Sequence, residues 1–174
     1  ARPSTSSSSV VLFFISFLLG LHLSILAQSP STTDKYYFTT GDDGSLALDM
    51  YGNAVNMSSG TTQLIGSNQS SSRSNATNIG FTFSFLNANF TQFSVNANAG
   101  IRLGSTRINT GDEGSDFPIS SGSYISPYWG NLKTSSSGKI HYKTQGSSGK
   151  RILIIEFLNM GINTNSSGAN GTFQ

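Results

Sequence analysis

Cysteine is absent from all 174 residues of the chain. Its absence excludes disulfide bonds, catalytic thiols and metal sites built from thiolates. Small secreted animal domains usually carry disulfides, so this composition favours a bacterial envelope or secreted protein whose core is stable without them. The length corresponds to one domain, which is enough to form such a core.

Charged residues are also scarce, at 10% of the chain against about 25% in an average soluble protein. The net charge is only +2, and the Lys and Arg residues are scattered along the sequence. A protein that binds nucleic acid concentrates its cations in a patch or stripe. We therefore expect no nucleic-acid partner, and a surface solvated mainly by hydroxyl and amide groups.

Few side chains are suited to catalysis. Of the two histidines, His22 lies in an N-terminal apolar segment, and His141 lies in a strand where alternation predicts a solvent-facing position. No motif supplies the Ser and Asp partners of a hydrolytic triad. Glu156 lies within a strongly apolar run, and a partner such as Arg102 or a backbone donor is expected to satisfy it. The sequence thus predicts a protein that is not an enzyme.

The N-terminal segment has the parts of a secretory signal peptide. Arg2 and a Ser-rich stretch precede an apolar run at residues 10–21, and small Ala27 follows at the expected cleavage point. We expect residues 1–27 to be removed on export, leaving no membrane span. The alternative is a membrane anchor, because residues 10–27 approach the lower length limit for crossing a bilayer.

The middle of the chain has the strongest structural pattern. Apolar and polar residues alternate in three runs, at 81–85, 93–95 and 101–103, separated by Asn- and Gly-rich breaks at 87–89 and 96–100. Alternation predicts strands with one buried face, and the breaks are typical of hairpin turns. The pattern predicts a three-stranded meander.

The fold is predicted to be all-β, an antiparallel β-sandwich of Ig-like or jelly-roll-like type over residues 28–174. Residues 152–158 are mostly apolar on both faces, as in a central strand that is covered on each side. Residues 171–174 have the pattern of a strand that begins there, so we expect the sandwich to be truncated at its C-terminal end. The residues predicted to lie in buried layers are Phe81, Phe83, Phe85, Trp129, Leu153 and Ile154.

Seven segments carry a family resemblance, at residues 58–66, 77–81, 90–96, 102–105, 125–129, 138–142 and 156–160. Together they resemble a β-sandwich module near the N-terminus of large secreted or surface proteins of Bacteroidota, many of them associated with type IX secretion. The order of a Pro-aromatic-Trp turn and a Gly-x-Ile-x-Tyr strand is also similar, more distantly, to the nidogen-type extracellular domain of animal adhesive proteins. The resemblance implies an extracellular fold whose motifs are structural.

Three aromatic residues form a candidate carbohydrate-binding site: Tyr124, Tyr128 and Trp129. Amphipathic aromatic side chains are suited to stacking on sugar rings at a surface. The alternative is that Trp129, which follows a proline-aromatic turn at a strand end, fills the core.

Three acidic residues form a candidate metal site: Asp112, Glu113 and Asp116. Calcium accepts several carboxylate and carbonyl oxygens from flexible loops. The alternative is a solvated acidic loop, and no other cofactor is expected.

These features predict a non-catalytic extracellular module of a larger secreted or cell-surface protein, serving display, spacing or adhesion. Its expected partners are other domains of the same polypeptide, extracellular glycans or surface proteins. The alternatives are a carbohydrate-binding β-sandwich and a fragment of a secreted hydrolase.

Overall fold

The computed structural model describes residues 48–49, 51–110, 122–128, 130–162 and 170–174. The predicted signal peptide at residues 1–27 lies outside these ranges. The described residues form eight strands and no helix, which confirms the all-β prediction. The strands are β1 (Thr62–Ile65), β2 (Thr77–Phe85), β3 (Ala88–Val95), β4 (Ile101–Leu103), β5 (Ser123–Ile125), β6 (Leu132–Gln145), β7 (Ile152–Ile162) and β8 (Gly171–Phe173). No described helix is therefore available to cross a membrane.

The strands form two antiparallel sheets of four strands each. One sheet has the order β1-β6-β7-β8 and the other has the order β2-β3-β4-β5. The chain leaves the first sheet after β1, completes the second sheet as a meander, and returns at β6. The predicted antiparallel β-sandwich is confirmed, and the predicted meander continues through β5.

The turn between β2 and β3 lies one residue earlier than the composition indicates. Leu86 and Asn87 have φ values of 49° and 62°, and two consecutive positive φ values are typical of a type I′ hairpin turn. Ala88 and Asn89 belong to β3 and pair with Phe85 and Ser84. Asparagine tolerates this backbone region, but leucine does not favour it, so composition alone did not place the turn.

The two sheets share one apolar core. Phe93 of β3 is fully buried, and its ring meets the ring of Tyr142 of β6 edge-on at 5.2 Å between centroids. The buried cluster draws on both sheets and consists of Ile65, Ile79, Phe93, Val95, Ala99, Ile101, Leu103, Leu132, Ile140, Ile155, Phe157 and Met160. A core formed by two inner faces is the defining feature of a sandwich.

Most of the residues that were predicted to be buried face the core as expected, but they are less buried than predicted. Phe81, Phe83, Phe85 and Leu153 face inward but are only half-buried. Phe81, Phe83 and Leu153 line an open space between the sheets, here called the inter-sheet cleft, whose other walls include Ile125, Ile155 and Phe157. Ile154 is buried on the opposite face of β7, and Trp129 lies outside the described residues.

The outer face of β6 and β7 is covered by residues 51–60, here called the covering segment. Met57 of this segment is buried, and the Nζ of Lys143 on β6 donates a hydrogen bond of 2.6 Å to the carbonyl of Asn56. Leu48 forms a single antiparallel bridge with Ala54. In β7, consecutive residues 154–157 are buried, so the predicted cover on both faces holds for the centre of the run at 152–158, and residues 152, 153 and 158 are half-buried.

Candidate functional site

His141 and Glu156 form a buried pair of polar side chains in the described structure. The two residues lie directly opposite each other on β6 and β7, and their side chains point away from the shared core. The His141 Nε2 and Glu156 Oε2 atoms are 2.5 Å apart. The two side chains are only 1% and 10% exposed, so the pair is shielded from water. It is the one ion-pairing contact among the described residues.

The remaining polar atoms of the pair have partners of their own. The second ring nitrogen of His141, Nδ1, lies 2.9 Å from the Thr61 hydroxyl. The Gln174 side-chain amide donates a 2.9 Å hydrogen bond to Glu156 Oε1. Both ring nitrogens and both carboxylate oxygens are thus hydrogen-bonded within the protein. This is the arrangement expected of a buried polar group that contributes to the fold.

A cavity of about 340 Å³ adjoins the pair under the covering segment. Its other walls include Val55, Met57 and Lys139. The hydroxyl, imidazole and carboxylate stand in series, as in a hydrolytic triad. A general base must, however, reach a substrate proton, and here the imidazole is almost fully buried with both nitrogens engaged. The arrangement therefore favours structural support over catalysis.

Two expectations about this pair are wrong. His141 was expected to face solvent, but the covering segment lies over the outer face of its strand and leaves it 1% exposed. Arg102 was an expected partner of Glu156, but its guanidinium lies over the Tyr124 ring and donates to the Arg107 carbonyl. The register of the β6–β7 hairpin could have identified this pair from the sequence. A hairpin that pairs Gln145 with Ile152 also pairs His141 with Glu156.

The candidate carbohydrate-binding residues have different surroundings. Tyr124 is half-buried on β5, with the Arg102 guanidinium 5.4 Å from its ring centroid, a cation–π distance. Tyr128 is 51% exposed, and its ring lies 6.1 Å from that of Phe173. Trp129 lies outside the described residues. Of the two candidates that the structure describes, Tyr128 is therefore the one whose ring is largely exposed to solvent.

The candidate calcium ligands Asp112, Glu113 and Asp116 also lie outside the described residues. Within the described ranges, no three acidic or histidine side chains come together as a metal site would require. The calcium expectation stays a prediction.

Comparison with known proteins identifies the domain. No curated protein and no solved structure matches the chain. The model of the NIDO-related domain family matches residues 49–174, a range that contains all eight strands and the His141–Glu156 pair. Because the match covers well over half of the sequence, the chain belongs to the family of NIDO-related domains.

Proposed function

We propose that this chain is a non-catalytic extracellular module of a larger secreted or cell-surface protein, where it serves display, spacing or adhesion. The observation that carries the proposal is the NIDO-related match across the whole described sandwich, since this family suggests an extracellular module. The internal hydrogen bonding of the His141–Glu156 pair supports a non-catalytic role, because it uses the groups best suited to acid–base chemistry. A bacterial setting, as in the secreted proteins of Bacteroidota that the sequence resembles, is part of the proposal.

Export is tested by fusing the whole chain to a reporter enzyme that needs disulfide bonds and so becomes active only in an oxidising compartment. The matched control lacks residues 1–27. We expect activity from the first fusion alone, and a mature N-terminus at Gln28. Equal activity from both fusions, or an uncut N-terminus, would contradict export by a cleaved leader.

Adhesion is tested separately, on beads that carry the purified chain. The beads flow over surfaces coated with mucin, peptidoglycan or collagen, and beads with the heat-unfolded chain serve as the control. We expect the folded chain to hold beads on at least one surface at a shear that removes the control beads. If beads with the folded chain and beads with the heat-unfolded chain were retained equally on every surface, the result would argue against adhesion and would leave display or spacing as the role.

A carbohydrate-binding role is the second candidate, and the exposed ring of Tyr128 favours it. Amphipathic aromatic rings at a surface are suited to stacking on sugars. A glycan array probed with the wild type, Tyr128→Ala and Tyr124→Ala would test it, and Trp129→Ala would test the third aromatic residue. Binding that is lost in Tyr128→Ala and retained in Tyr124→Ala would support a site centred on Tyr128, whereas an array without any signal would contradict the role.

A further inference from the structure

A polar cavity lies between the start of the covering segment and the turn that joins β6 to β7. Its volume is about 480 Å³. The polar side chains that line it are Asp49, Tyr51, Asn53, Gln145, Ser147 and Lys150. The inter-sheet cleft, by contrast, is almost entirely apolar. A pocket in which several polar groups converge is suited to a small polar molecule.

Two side-chain amides in the wall of this cavity are oriented by Asp49. The Gln145 Nε2 group donates a 2.9 Å hydrogen bond to Asp49 Oδ2. The Asn53 Nδ2 group lies 3.2 Å from each of the two Asp49 carboxylate oxygens. An amide side chain carries its donor and its acceptor on different atoms, so the Asn53 and Gln145 carbonyl oxygens point away from the carboxylate. No described residue donates to either oxygen, and both can accept hydrogen bonds from a ligand.

Tyr51 adds an aromatic ring to the same cavity. Tyr51 is 48% exposed, and the Lys150 Nζ atom lies 5.9 Å from its ring centroid. An aromatic ring beside hydrogen-bonding groups suits a sugar, because a sugar ring has an apolar C–H face and hydroxyl groups at its rim. The described lining carries one carboxylate, on Asp49, and one ammonium group, on Lys150. The two charges balance, which favours a ligand without charge.

We propose that this cavity is a binding site for a neutral sugar. The apolar face of the sugar lies against the Tyr51 ring, and two of its hydroxyl groups donate to the Asn53 and Gln145 carbonyl oxygens. The Lys150 ammonium group donates to a further sugar oxygen. Asp49 is a positioning residue, since it orients both amides. The inference goes beyond the proposed role in display, spacing or adhesion, and it does not use the three aromatic residues of the second candidate function.

The test uses the isotope-labelled full chain, with methyl glucoside, methyl galactoside and methyl mannoside as probes. Amide NMR shifts measure the affinity and locate the site. We expect saturable shifts with at least one glycoside, largest near Tyr51 and Gln145. Sorbitol, which has hydroxyl groups but no ring, is expected not to bind. Absence of saturable binding, equal binding of sorbitol, or shifts centred elsewhere would overturn the proposal, and shifts centred on Tyr128 would favour the second candidate function instead.

The contact with the aromatic ring is tested with Tyr51→Ala and Tyr51→Phe. We expect Tyr51→Ala to weaken binding of the glycoside about five- to tenfold, because the ring contact is lost. Tyr51→Phe keeps the ring and should bind like the wild type. Tyr128→Ala is the matched control, since Tyr128 is also about half exposed, at 51%, but does not line this cavity. Unchanged binding in Tyr51→Ala, or an equal loss in Tyr128→Ala, would overturn the proposal.

The hydrogen bond to Gln145 is tested with Gln145→Met and with monodeoxy forms of the glycoside that binds. Loss of one hydrogen bond should weaken binding about two- to tenfold. One deoxy form should bind the wild type that much more weakly, and Gln145→Met should then add little to its loss. Gln92→Met is the matched control and should bind like the wild type, because Gln92 is also half-buried and also donates to a side chain, that of Asn78, away from the cavity. The amide spectrum of the core confirms that each variant is folded, and additive losses for every deoxy form would remove Gln145 from the site.

Discussion

At the scale of single residues, His141 and Glu156 form a buried polar pair in the sheet that contains β6 and β7. A buried ion-pairing contact needs both partners, because removing one leaves the other desolvated and unpaired. Replacing both with apolar groups avoids that penalty, since nothing polar is then left buried. The pair should therefore behave as one unit in mutagenesis.

Glu156→Leu alone is expected to destabilise the protein by about 3–5 kcal/mol, because His141 would remain buried without its carboxylate. His141→Leu should have a comparable cost. The double variant is expected to lose markedly less than the sum of the two single variants. Urea unfolding of all four forms gives the coupling energy, and additive losses would show that the two side chains do not support each other.

Asp49 links the start of the covering segment to β6. Its carboxylate accepts hydrogen bonds of 2.9 Å from the backbone N–H groups of Tyr51 and Asn53, and from the Gln145 side chain. Partial desolvation acts to raise the pKa of Asp49, but the hydrogen bonds from Asn53 and Gln145, together with that from Tyr51, outweigh it. The pKa therefore lies below its ordinary value of 3.8.

This lowered pKa gives a pH-dependent contribution to stability. When the folded pKa lies below the unfolded one, the contribution is complete above the unfolded value of 3.8 and is lost as pH falls through the folded value. Asp49→Asn keeps the shape of the side chain but removes its charge. The wild type should have a higher urea midpoint than the variant near neutral pH, and the difference should shrink below about pH 4. A difference that does not change with pH would exclude the charge as its source.

At the scale of elements, β6 and β7 form the longest hairpin of the fold, and its turn depends on glycine. Gly146 has a φ of +92°, and a Cβ atom there would collide with the carbonyl oxygen of Lys150. Gly149 in the same turn has a φ of +82°, but a Cβ atom there would have no neighbour within 4 Å. An alanine at Gly149 would therefore introduce backbone strain alone, whereas an alanine at Gly146 would introduce strain together with a steric collision.

Gly149→Ala should cost about 1–2 kcal/mol, which is the strain of a left-handed residue with a side chain. Gly146→Ala should cost clearly more, because the Lys150 carbonyl must also move and the β6–β7 register is set at this turn. Thermal and urea unfolding of both variants give the comparison. Equal losses would mean that the turn can move aside without cost.

The β3–β4 turn shows where prediction from composition stops. Residues 96–100 were expected to be a turn, and they are one, with Ala99 at a φ of 64°. The turn is nevertheless buried, and Asn96 Oδ1 accepts hydrogen bonds from the N–H groups of Asn98 and Gly100. Asn98 in turn accepts a hydrogen bond from the N–H group of Leu132 at the start of β6. Asn and Gly therefore predicted the bend, but the long-range bond between Asn98 and Leu132 depends on the tertiary fold.

At the scale of the whole molecule, period-2 alternation predicted which side of β2, β3 and β4 faces the core, and which side of β6 carries His141. It did not predict what covers the opposite side, because the covering segment carries no regular pattern of its own. His141 was therefore assigned to the correct face of β6 but to the wrong environment. Phe83 was assigned to the core but lines the inter-sheet cleft, because alternation gives the face of a side chain and not how closely the facing sheet packs against it.

Two phenylalanines of the same sheet, Phe93 and Phe83, differ in how deeply they are buried. Phe93 is completely buried and contacts Tyr142 of the facing sheet, so Phe93→Ala should cost about 3–5 kcal/mol. Phe83 is half-buried beside the inter-sheet cleft, so Phe83→Ala should cost only about 1–2 kcal/mol, because less apolar surface is returned to water and the site is already open. Both sheets contribute to one core, and unfolding followed by circular dichroism and by methyl NMR should give coincident transitions for each variant. A loss for Phe83→Ala as large as that for Phe93→Ala would mean that the cleft is filled in solution, and separate transitions would mean that the two sheets do not share one cooperative core.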